Sequence, residues 1–275
     1  MNSEKKFSPI YLIPQLMVFG NSMDNIPVWA QAYFWGGIAG FALVLGAFGG
    51  YCLNISQRII ASIMAFGSGV LISALSFELM DRAYSRGGFD STTVGFISGA
   101  LIFTAANWIL SKKGAKHRKR SGHQQSSQQD SNSGMAIAIG SLLDGIPESI
   151  VIGLSMLKGG VVSIVAVIAI FLSNIPEGLS SSAGMKKAGH GAVYVFGVWI
   201  GIALFSGLAS LIGYTVFQNF SPDVIAATTS IAAGAILAML VDTMIPEAFE
   251  IAHNFAGLIT VVGFLSSFIL TKLNP

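Results

Sequence analysis

Eight long apolar stretches divide this chain of 275 residues, and few charged residues interrupt them. Only 10% of the residues are charged, whereas a typical soluble domain has about 25%. Each stretch is close to the length of roughly 17–25 residues that a helix needs to cross a bilayer. The sequence therefore predicts an all-α protein, a polytopic membrane helix bundle with eight transmembrane helices. The predicted spans are 30–53, 59–77, 92–110, 135–157, 161–185, 191–216, 224–249 and 254–272.

The beginning of the chain forms a separate segment. Its apolar run, 10–19, is too short to cross a membrane and contains Pro14. We predict an N-terminal arm over 1–29, with a short interfacial helix or a re-entrant segment, followed by one transmembrane domain over 30–275. A cleaved signal peptide is the alternative, although 20–24 offer no small-residue cleavage site.

The basic residues indicate an orientation. The long polar segment 112–133 is rich in Lys, Arg, Ser and Gln, and we expect it to be a disordered loop. With eight spans, nine of the 15 Lys and Arg residues fall on the side of this loop and six on the other. Positive residues collect in cytoplasmic loops, so we expect this loop in the cytoplasm and both termini outside. The basic charge follows topology and indicates no nucleic-acid partner; we expect the plasma (inner) membrane.

The most informative feature is a polar motif that occurs in both span four and span five. Ile-Pro-Glu ends at Glu148 in the first copy and at Glu177 in the second, within otherwise apolar sequence. Because residues three or four positions apart share a helix face, each motif presents several polar side chains together. These faces comprise Ser141, Asp144 and Glu148 in span four, and Asn174, Glu177 and Ser181 in span five, with Ser173 adjacent.

Each motif also contains a proline, Pro147 or Pro176. Proline cannot donate a backbone hydrogen bond, and its ring clashes with the carbonyl group four residues earlier. We therefore predict a helix break at both prolines. The freed carbonyl groups of Leu143 and Leu172 would then need protein, water or a bound cation as partners.

The acidic residues of the motifs carry a large energetic cost. Asp144, Glu148 and Glu177 would together cost on the order of 8–10 kcal/mol if they were charged, dry and unpaired in mid-membrane. Spans four and five contain no Lys or Arg to pair with them. The carboxylates must therefore be protonated, hydrated or neutralised by a cation. We predict a membrane-embedded cation site; the alternative is a structural role, in which protonated carboxyl groups bond neighbouring helices.

Further carboxylates lie nearer the ends of the predicted helices. Span seven contains Asp242 and Glu247, and span two ends with Glu78 and Asp81. We interpret them as candidates for the path or the entrance of a cation. The alternative is that they are solvated helix caps.

The paired motifs resemble those of the ZIP (Zrt/Irt-like) family of divalent-metal transporters, bacterial-type branch, in which spans four and five build the metal site. The run from Ser173 to Gly178 matches the family pattern, and the segment from Asp242 to Glu247 is similar to its span-seven signature. The resemblance implies four metal ligands, namely Asp144, Glu148, Asn174 and Glu177. It also implies passive or proton-linked movement of a divalent cation towards the cytoplasm, by an elevator-like or rocking motion of a four-helix unit.

One departure from the family concerns the choice of metal. The motif histidine of span four is Asp144 here, and the asparagine that follows it is Gly145, so the implied site is all oxygen. Carboxylate and carbonyl oxygens favour ions such as Mn²⁺, whereas imidazole favours Zn²⁺. We expect a substrate of the Zn, Mn or Fe class, with Mn²⁺ or Fe²⁺ gaining on Zn²⁺, and no resident cofactor.

Two other classes of protein are kept as alternatives. The missing histidine is consistent with a metal-binding sensor or scaffold that does not transport. An intramembrane hydrolase could use Asp144 and Asp242 as a catalytic pair, but the sequence contains neither His-Glu-x-x-His nor Gly-x-Ser-x-Gly, and we expect no enzymatic activity. Small-residue pairs such as Gly197/Gly201 favour helix packing and leave a homodimer open.

Overall fold

The apolar stretches of the sequence form helices in the computed structural model. The structure describes residues 25–123, 125, 133–157 and 159–273. These residues contain no strand, and 87% of the structure is helix, which confirms the all-α prediction. The α-helices of the described part are α1 (Val28–Cys52), α2 (Gln57–Ala74), α3 (Asp81–Leu110), α4 (Ser133–Ser155), α5 (Ile164–Lys187), α6 (Ala192–Thr215), α7 (Pro222–Met239), α8 (Ile245–Ala252) and α9 (Ala256–Leu273). Of the arm predicted over 1–29, residues 1–24 lie outside the described residues.

Serine side chains fix the start of several helices. Ser56, Ser163 and Ser221 precede α2, α5 and α7, and each hydroxyl oxygen accepts a hydrogen bond from the backbone N–H three residues later, at 3.3–3.4 Å. Such a cap satisfies one of the backbone donors that the first helical turn leaves unpaired. The start of α5 matters most, because this helix carries one of the two polar motifs.

Short π-helical segments continue the helices at three places in the described part. They are Leu75–Met80 between α2 and α3, Ser111–Ala115 after α3, and Leu240–Met244 between α7 and α8. π-Helical turns are rare and occur frequently at functional positions. Two of these turns contain acidic residues of interest, Glu78 and Asp242.

Six helical runs of the described part are long and apolar enough to cross a membrane, so the chain has the character of a multi-pass membrane protein. The runs are Val28–Cys52, Gln57–Ala115, Met135–Ser155, Ile164–Lys187, Ala192–Asn219 and Pro222–Leu273. The predicted number of eight spans is not confirmed, because spans two and three fall within one run and spans seven and eight within another. The backbone has a positive φ inside both of these runs, at Gly88 (67°) and at His253 (46°).

The structure differs from the helix breaks predicted at Pro147 and Pro176. Both prolines lie inside continuous helices, α4 and α5. Proline is tolerated in membrane helices when neighbouring groups compensate for the lost hydrogen bond. Packing also makes room for the ring of Pro176, because the neighbouring residue on α2 is Gly67, which has no side chain. A Cβ atom added to Gly67 would lie only 2.7 Å from Cγ of Pro176.

The helices pack as two sets. In the first set, α1 packs along α5 and α6, and α6 packs along α4. In the second set, α3 packs along α7, and α2 packs along α9. Contacts of α2 with α5 and of α4 with α7 join the sets, so the two helices that carry the polar motifs both face the boundary between them.

The two ends of the bundle are distinguished by their contacts. At one end, the carbonyl oxygen of Ser121 accepts hydrogen bonds from Gln57 (3.3 Å) and Lys187 (2.8 Å); this is the loop end. At the other end, the hydroxyl of Ser163 donates a hydrogen bond to Glu78; this is the Glu78 end. Residues 89–110 of α3 run between the two ends, a rise of about 33 Å.

Glycines bring α1 and α5 into backbone contact. A Cβ atom on Gly46 would lie 2.1 Å from the carbonyl oxygen of Ile175, and one on Gly178 would lie 2.1 Å from that of Leu43. No side chain fits at either position, and small residues at helix crossings allow this close approach in membranes. The contact fixes the position of α5 and therefore of Asn174 in its second motif.

Candidate functional site

Three acidic residues lie buried in the middle of two helices. Asp144 and Glu148 are one turn apart on α4, Glu177 lies on α5, and each has at most 3% of its surface exposed. Asp144 is the midpoint of the helix Ser133–Ser155. Carboxyl groups at this depth need partners, because burying an unpaired charge is costly.

Two basic residues from the segment after α3 bind two of these carboxylates. The guanidinium of Arg118 donates two hydrogen bonds to Asp144, from Nη2 to Oδ1 at 2.7 Å and from Nε to Oδ2 at 2.8 Å. The ammonium of Lys119 lies 2.9 Å from Oε2 of Glu177 and 3.3 Å from Oδ2 of Asp144. Both basic residues are at most 3% exposed. The carboxylates are thus neutralised by cations, and these cations belong to the protein itself.

Sequence reasoning did not identify Arg118 and Lys119 as site residues. It interpreted the basic run 116–120 as a sign of orientation and expected all of 112–133 to be disordered. Part of that segment differs from this prediction, because the side chains of Arg118, Lys119, Ser121 and Gln125 are buried in the bundle. The available signal was a charge imbalance: three acids in spans without a base lie next to a loop that carries six Lys and Arg residues.

The remaining polar groups of the two basic residues bind neighbouring helices. Nη1 of Arg118 donates to Oδ1 of Asn107 on α3 at 2.8 Å. Nζ of Lys119 lies 2.9 Å from Sδ of Met239 on α7. The backbone carbonyl oxygen of Lys119 accepts a hydrogen bond from the hydroxyl of Ser180 on α5 at 2.6 Å. Residues of both helix sets therefore hold these two side chains in place.

Glu247, predicted as a path residue, anchors the same segment from α8. It is 0% exposed, and its Oε1 atom accepts hydrogen bonds from the backbone N–H (2.8 Å) and the hydroxyl (2.6 Å) of Ser121. Arg120 pairs with Glu247 at 3.3 Å and also with Glu250. Glu247 therefore holds an anchoring position at the loop end.

The other two predicted ligands carry unpaired buried oxygens. Within the described residues, neither carboxyl oxygen of Glu148 has a hydrogen-bond partner, and Oδ1 of Asn174 has none either. The amide nitrogen of Asn174 donates to the carbonyl oxygen of Ala39 at 2.8 Å, so the side chain is held in place while its oxygen keeps no partner among the described residues. Buried polar atoms without partners are uncommon and costly, so these oxygens are candidates to bind a proton, water or a cation.

The four predicted ligands do not converge in this conformation. No three His, Cys, Asp or Glu residues of the described part lie close enough together to hold a metal ion. The ammonium of Lys119 contacts both Asp144 and Glu177. It takes the position between the carboxylates that a shared cation would take.

The predicted serines are buried on the same two helices as this group. Ser141, Ser173 and Ser181 are at most 2% exposed. Ser173 donates to the carbonyl oxygen of Ile170 at 2.9 Å, and the hydroxyl of Ser181 has no hydrogen-bond partner among the described residues. The lining of the site is therefore polar on both motif helices.

A cavity at the loop end adjoins the site. Its volume is about 210 Å³, and it is lined by Asn107, Ser111, Lys116, His117, Lys119, Arg120, Asp242 and Thr243. Asp242 accepts a hydrogen bond from Asn107 at 3.4 Å. Burial, followed by the charges of two nearby basic side chains, lowers the pKa of His117 below its ordinary value, so this imidazole is neutral near pH 7. Lys119 belongs both to the cavity wall and to the ion pairs, so it separates the cavity from the carboxylates.

Glu78 lies at the opposite end of the bundle, remote from this group. It forms an ion pair with Arg82 and accepts the hydrogen bond from Ser163. Asp81, one turn further on, is exposed. The structure therefore places Glu78 apart from the carboxylate group, at the opposite end of the bundle.

These features define a multi-pass helical membrane protein with a buried, charge-paired carboxylate group. Comparison of the sequence with models of known protein families gives no match, and comparison with curated proteins gives none either. The function of the protein is therefore inferred from the chemistry of its residues.

Proposed function

We propose that this chain is a membrane transporter for divalent transition-metal cations of the Zn, Mn or Fe class, which move towards the cytoplasm through the carboxylate group of α4 and α5. The observation that carries the proposal is the burial of Asp144, Glu148 and Glu177 in mid-helix, with positive charge bound to two of them. Ionisable residues inside membrane spans are expensive and mark ion and proton pathways. The resemblance of the paired motifs to the ZIP family supports the same function.

We infer eight crossings of the membrane from the six helical runs. The run Gln57–Ala115 has 59 residues and would extend about 88 Å as one straight helix, far beyond a bilayer core of about 30 Å. The backbone is non-helical at Gly88 in this run and at His253 in the run Pro222–Leu273, and we infer that the chain turns back at these residues. Each run then crosses twice, with the termini outside at the Glu78 end and the loop end in the cytoplasm.

The cavity at the loop end is the exit that we propose for the metal. Asp242 supplies a carboxylate to its wall. Lys119 closes the cavity towards the site, and the ion pair of Glu78 with Arg82 lies at the other end of the bundle. Transport through the site therefore requires a conformational change. The boundary between the two helix sets is where a rocking or elevator-like motion of α1, α4, α5 and α6 would act.

One observation favours a second candidate function, a metal-binding sensor or scaffold that does not transport. Arg118 and Lys119 already occupy two of the carboxylates, and a site that they never leave would pass no metal. The hydrolase alternative is weaker. Arg118 and Asn107 stand between Asp144 and Asp242, so these two carboxylates do not face each other as a catalytic pair.

Uptake by reconstituted liposomes tests the transporter proposal. We expect uptake of at least one ion among Mn²⁺, Fe²⁺, Zn²⁺, Co²⁺ and Cd²⁺ in competition, and a loss of at least about tenfold in Glu177→Gln. Glutamine keeps the size of the side chain but has no negative charge to hold a cation. The control is Asp90→Asn, which removes an exposed acid outside the site. Uptake that survives Glu177→Gln would contradict the site, and no uptake by a folded wild-type protein would favour the sensor or scaffold.

The same assay tests the expected choice of metal. Asp144→His should raise the ratio of Zn²⁺ to Mn²⁺ uptake, because imidazole is a better ligand for Zn²⁺ than for Mn²⁺. Asp144→Asn is the control, since it removes the charge and the ion pair with Arg118 without adding an imidazole. An equal ratio in the two variants would show that Asp144 does not set selectivity.

A further inference from the structure

The segment 118–121 places its first two residues in the site and its last two against α8. Arg118 and Lys119 bind the carboxylates of α4 and α5. Arg120 and Ser121 bind Glu247 of α8. Since α4 and α5 belong to one helix set and α8 packs on α2 of the other, this segment ties the two sets together.

Hydrogen bonds to backbone groups complete the attachment to α5. The hydroxyl of Ser180 donates to the carbonyl oxygen of Lys119 at 2.6 Å. The side-chain amide of Gln125 donates to the carbonyl oxygens of Ser181 and Arg120, each at 2.9 Å. Withdrawal of the segment would exchange these hydrogen bonds for bonds to water, so the attachment can be released.

The two side chains of the segment that enter the site together carry the charge of a divalent ion. Asp144 and Glu177 form ion pairs with two monovalent cations, Arg118 and Lys119. A metal ion would bind the same carboxylate oxygens at about 2.0–2.2 Å. Like charges repel strongly in a low-dielectric interior, so a metal ion and the ammonium of Lys119 cannot occupy the space between these carboxylates together.

We propose that Arg118 and Lys119 are a tethered substitute for the transported cation: they occupy Asp144 and Glu177 in the metal-free protein, and a divalent ion binds there only after the segment 118–121 withdraws. This inference rests on the proposed function, because it takes the carboxylate group as the transport site. It adds a resting state in which the site is neutralised and the two helix sets are tied. Metal binding then stabilises the withdrawn state, in which the tie is released and one set can move against the other.

The segment has a short way out of the bundle. It follows Gly114, whose φ of 103° marks a sharp turn of the backbone, and it lies beside the cavity of about 210 Å³ at the loop end. Lys116, between the turn and the segment, is exposed. Withdrawal therefore moves the basic side chains into water without crossing the bundle.

Thiol labelling reports withdrawal of the segment without depending on transport. The one native cysteine, Cys52, is replaced by serine, and Ser121→Cys is introduced at a residue that is 0% exposed. In detergent, without metal, the introduced thiol should react with a polar maleimide at least about tenfold more slowly than an exposed thiol, as expected when the open state is a minor population. Mn²⁺ should accelerate the reaction, and Mn²⁺ is chosen because it binds thiols weakly.

Two matched proteins serve as controls for this measurement. His123→Cys in the same background places the thiol at an exposed residue two positions further on, and its reaction should be fast with or without Mn²⁺. Glu177→Gln added to Ser121→Cys should abolish the acceleration, because the metal then lacks a carboxylate. The inference is overturned if the thiol of Ser121→Cys reacts as fast as that of His123→Cys without metal, or if Mn²⁺ does not accelerate its reaction.

A charge variant tests the same competition through transport. Lys119→Gln should lower the Mn²⁺ concentration for half-maximal uptake by about tenfold, because the competing cation is gone and the binding-competent fraction rises. Lys113→Gln removes an exposed charge from the same loop, outside the cavity, and should leave this concentration unchanged. The wild type could take up metal while Mn²⁺ leaves the labelling of Ser121→Cys unchanged and Lys119→Gln has the half-maximal concentration of the wild type. That result would overturn the inference and retain the proposed function. No uptake by any of these folded proteins would overturn the proposed function, whereas labelling that still responds to Mn²⁺ would retain the competition.

Discussion

Loss of both loop cations, in Arg118→Met/Lys119→Met, is expected to lower the free energy of unfolding by about 3–5 kcal/mol. Methionine keeps much of the length and volume of each side chain but removes its charge. Asp144 and Glu177 stay fixed in the middle of their helices, and an unpaired acid at this depth costs roughly 2.5–3.5 kcal/mol on insertion scales. Protonation of the carboxyl groups limits the loss, so the total should fall near the value for breaking a buried pair.

Thermal unfolding in detergent micelles measures this effect. The matched control is Lys113→Met/Lys116→Met, which removes two exposed charges from the same segment and should change stability by no more than about 0.5 kcal/mol per site. Mn²⁺ should raise the unfolding temperature of the test variant, because a bound divalent ion restores the missing charge and stabilises the folded state. Equal unfolding temperatures for the two double variants would contradict the ion pairs. Destabilisation without recovery in Mn²⁺ would keep the ion pairs but contradict metal binding.

The helices could be predicted because apolar length and local caps are properties of neighbouring residues. Span five was predicted at 161–185, and α5 is Ile164–Lys187, with its start set by the cap of Ser163. The number of crossings is less accessible to such reasoning. Helical structure continues through the π-helical turn Leu75–Met80, close to the position where a predicted span ends, so hydropathy and helix boundaries do not coincide there.

The site could be predicted only as far as helical spacing reaches. The spacing of Asp144 and Glu148 places them together on one helix, and their energetic cost indicates that they need a partner. The identity of that partner depends on tertiary structure, because Arg118 lies 26 residues from Asp144 in sequence. The polar composition of 112–133 is typical of disorder, and local reasoning could not weigh that tendency against the attraction of buried carboxylates.

The proline prediction shows the same limit. The rule that proline breaks a helix considers one helix by itself. In the structure α5 continues through Pro176, and the neighbouring α2 has Gly67 where the ring needs space. The compensating residue lies on another helix, so the motif alone could not reveal it.

Substitution of a glycine between α1 and α5 should have the second large effect. In Gly178→Ala the new Cβ atom would lie 2.1 Å from the carbonyl oxygen of Leu43 and 3.0 Å from its Cα atom. These are backbone atoms that no rotamer change can move, so the two helices must separate. Overpacking of this kind typically costs about 1–3 kcal/mol, and separation would also weaken the hydrogen bond from Asn174 to Ala39 that joins the same helices.

Comparison with Gly197→Ala isolates the packing contribution in Gly178→Ala. Gly197 lies on α6 and is exposed, and a Cβ atom added there would have no described neighbour within 4 Å. Alanine is favoured over glycine in a helix by about 0.8–1.0 kcal/mol, so the control should unfold at the same temperature or higher. Gly178→Ala gains the same propensity and should still unfold at a lower temperature, with reduced Mn²⁺ uptake because Glu177 moves with α5. If both variants unfold alike, α1 does not hold α5 in position, and the backbone contact cannot be what positions the second motif.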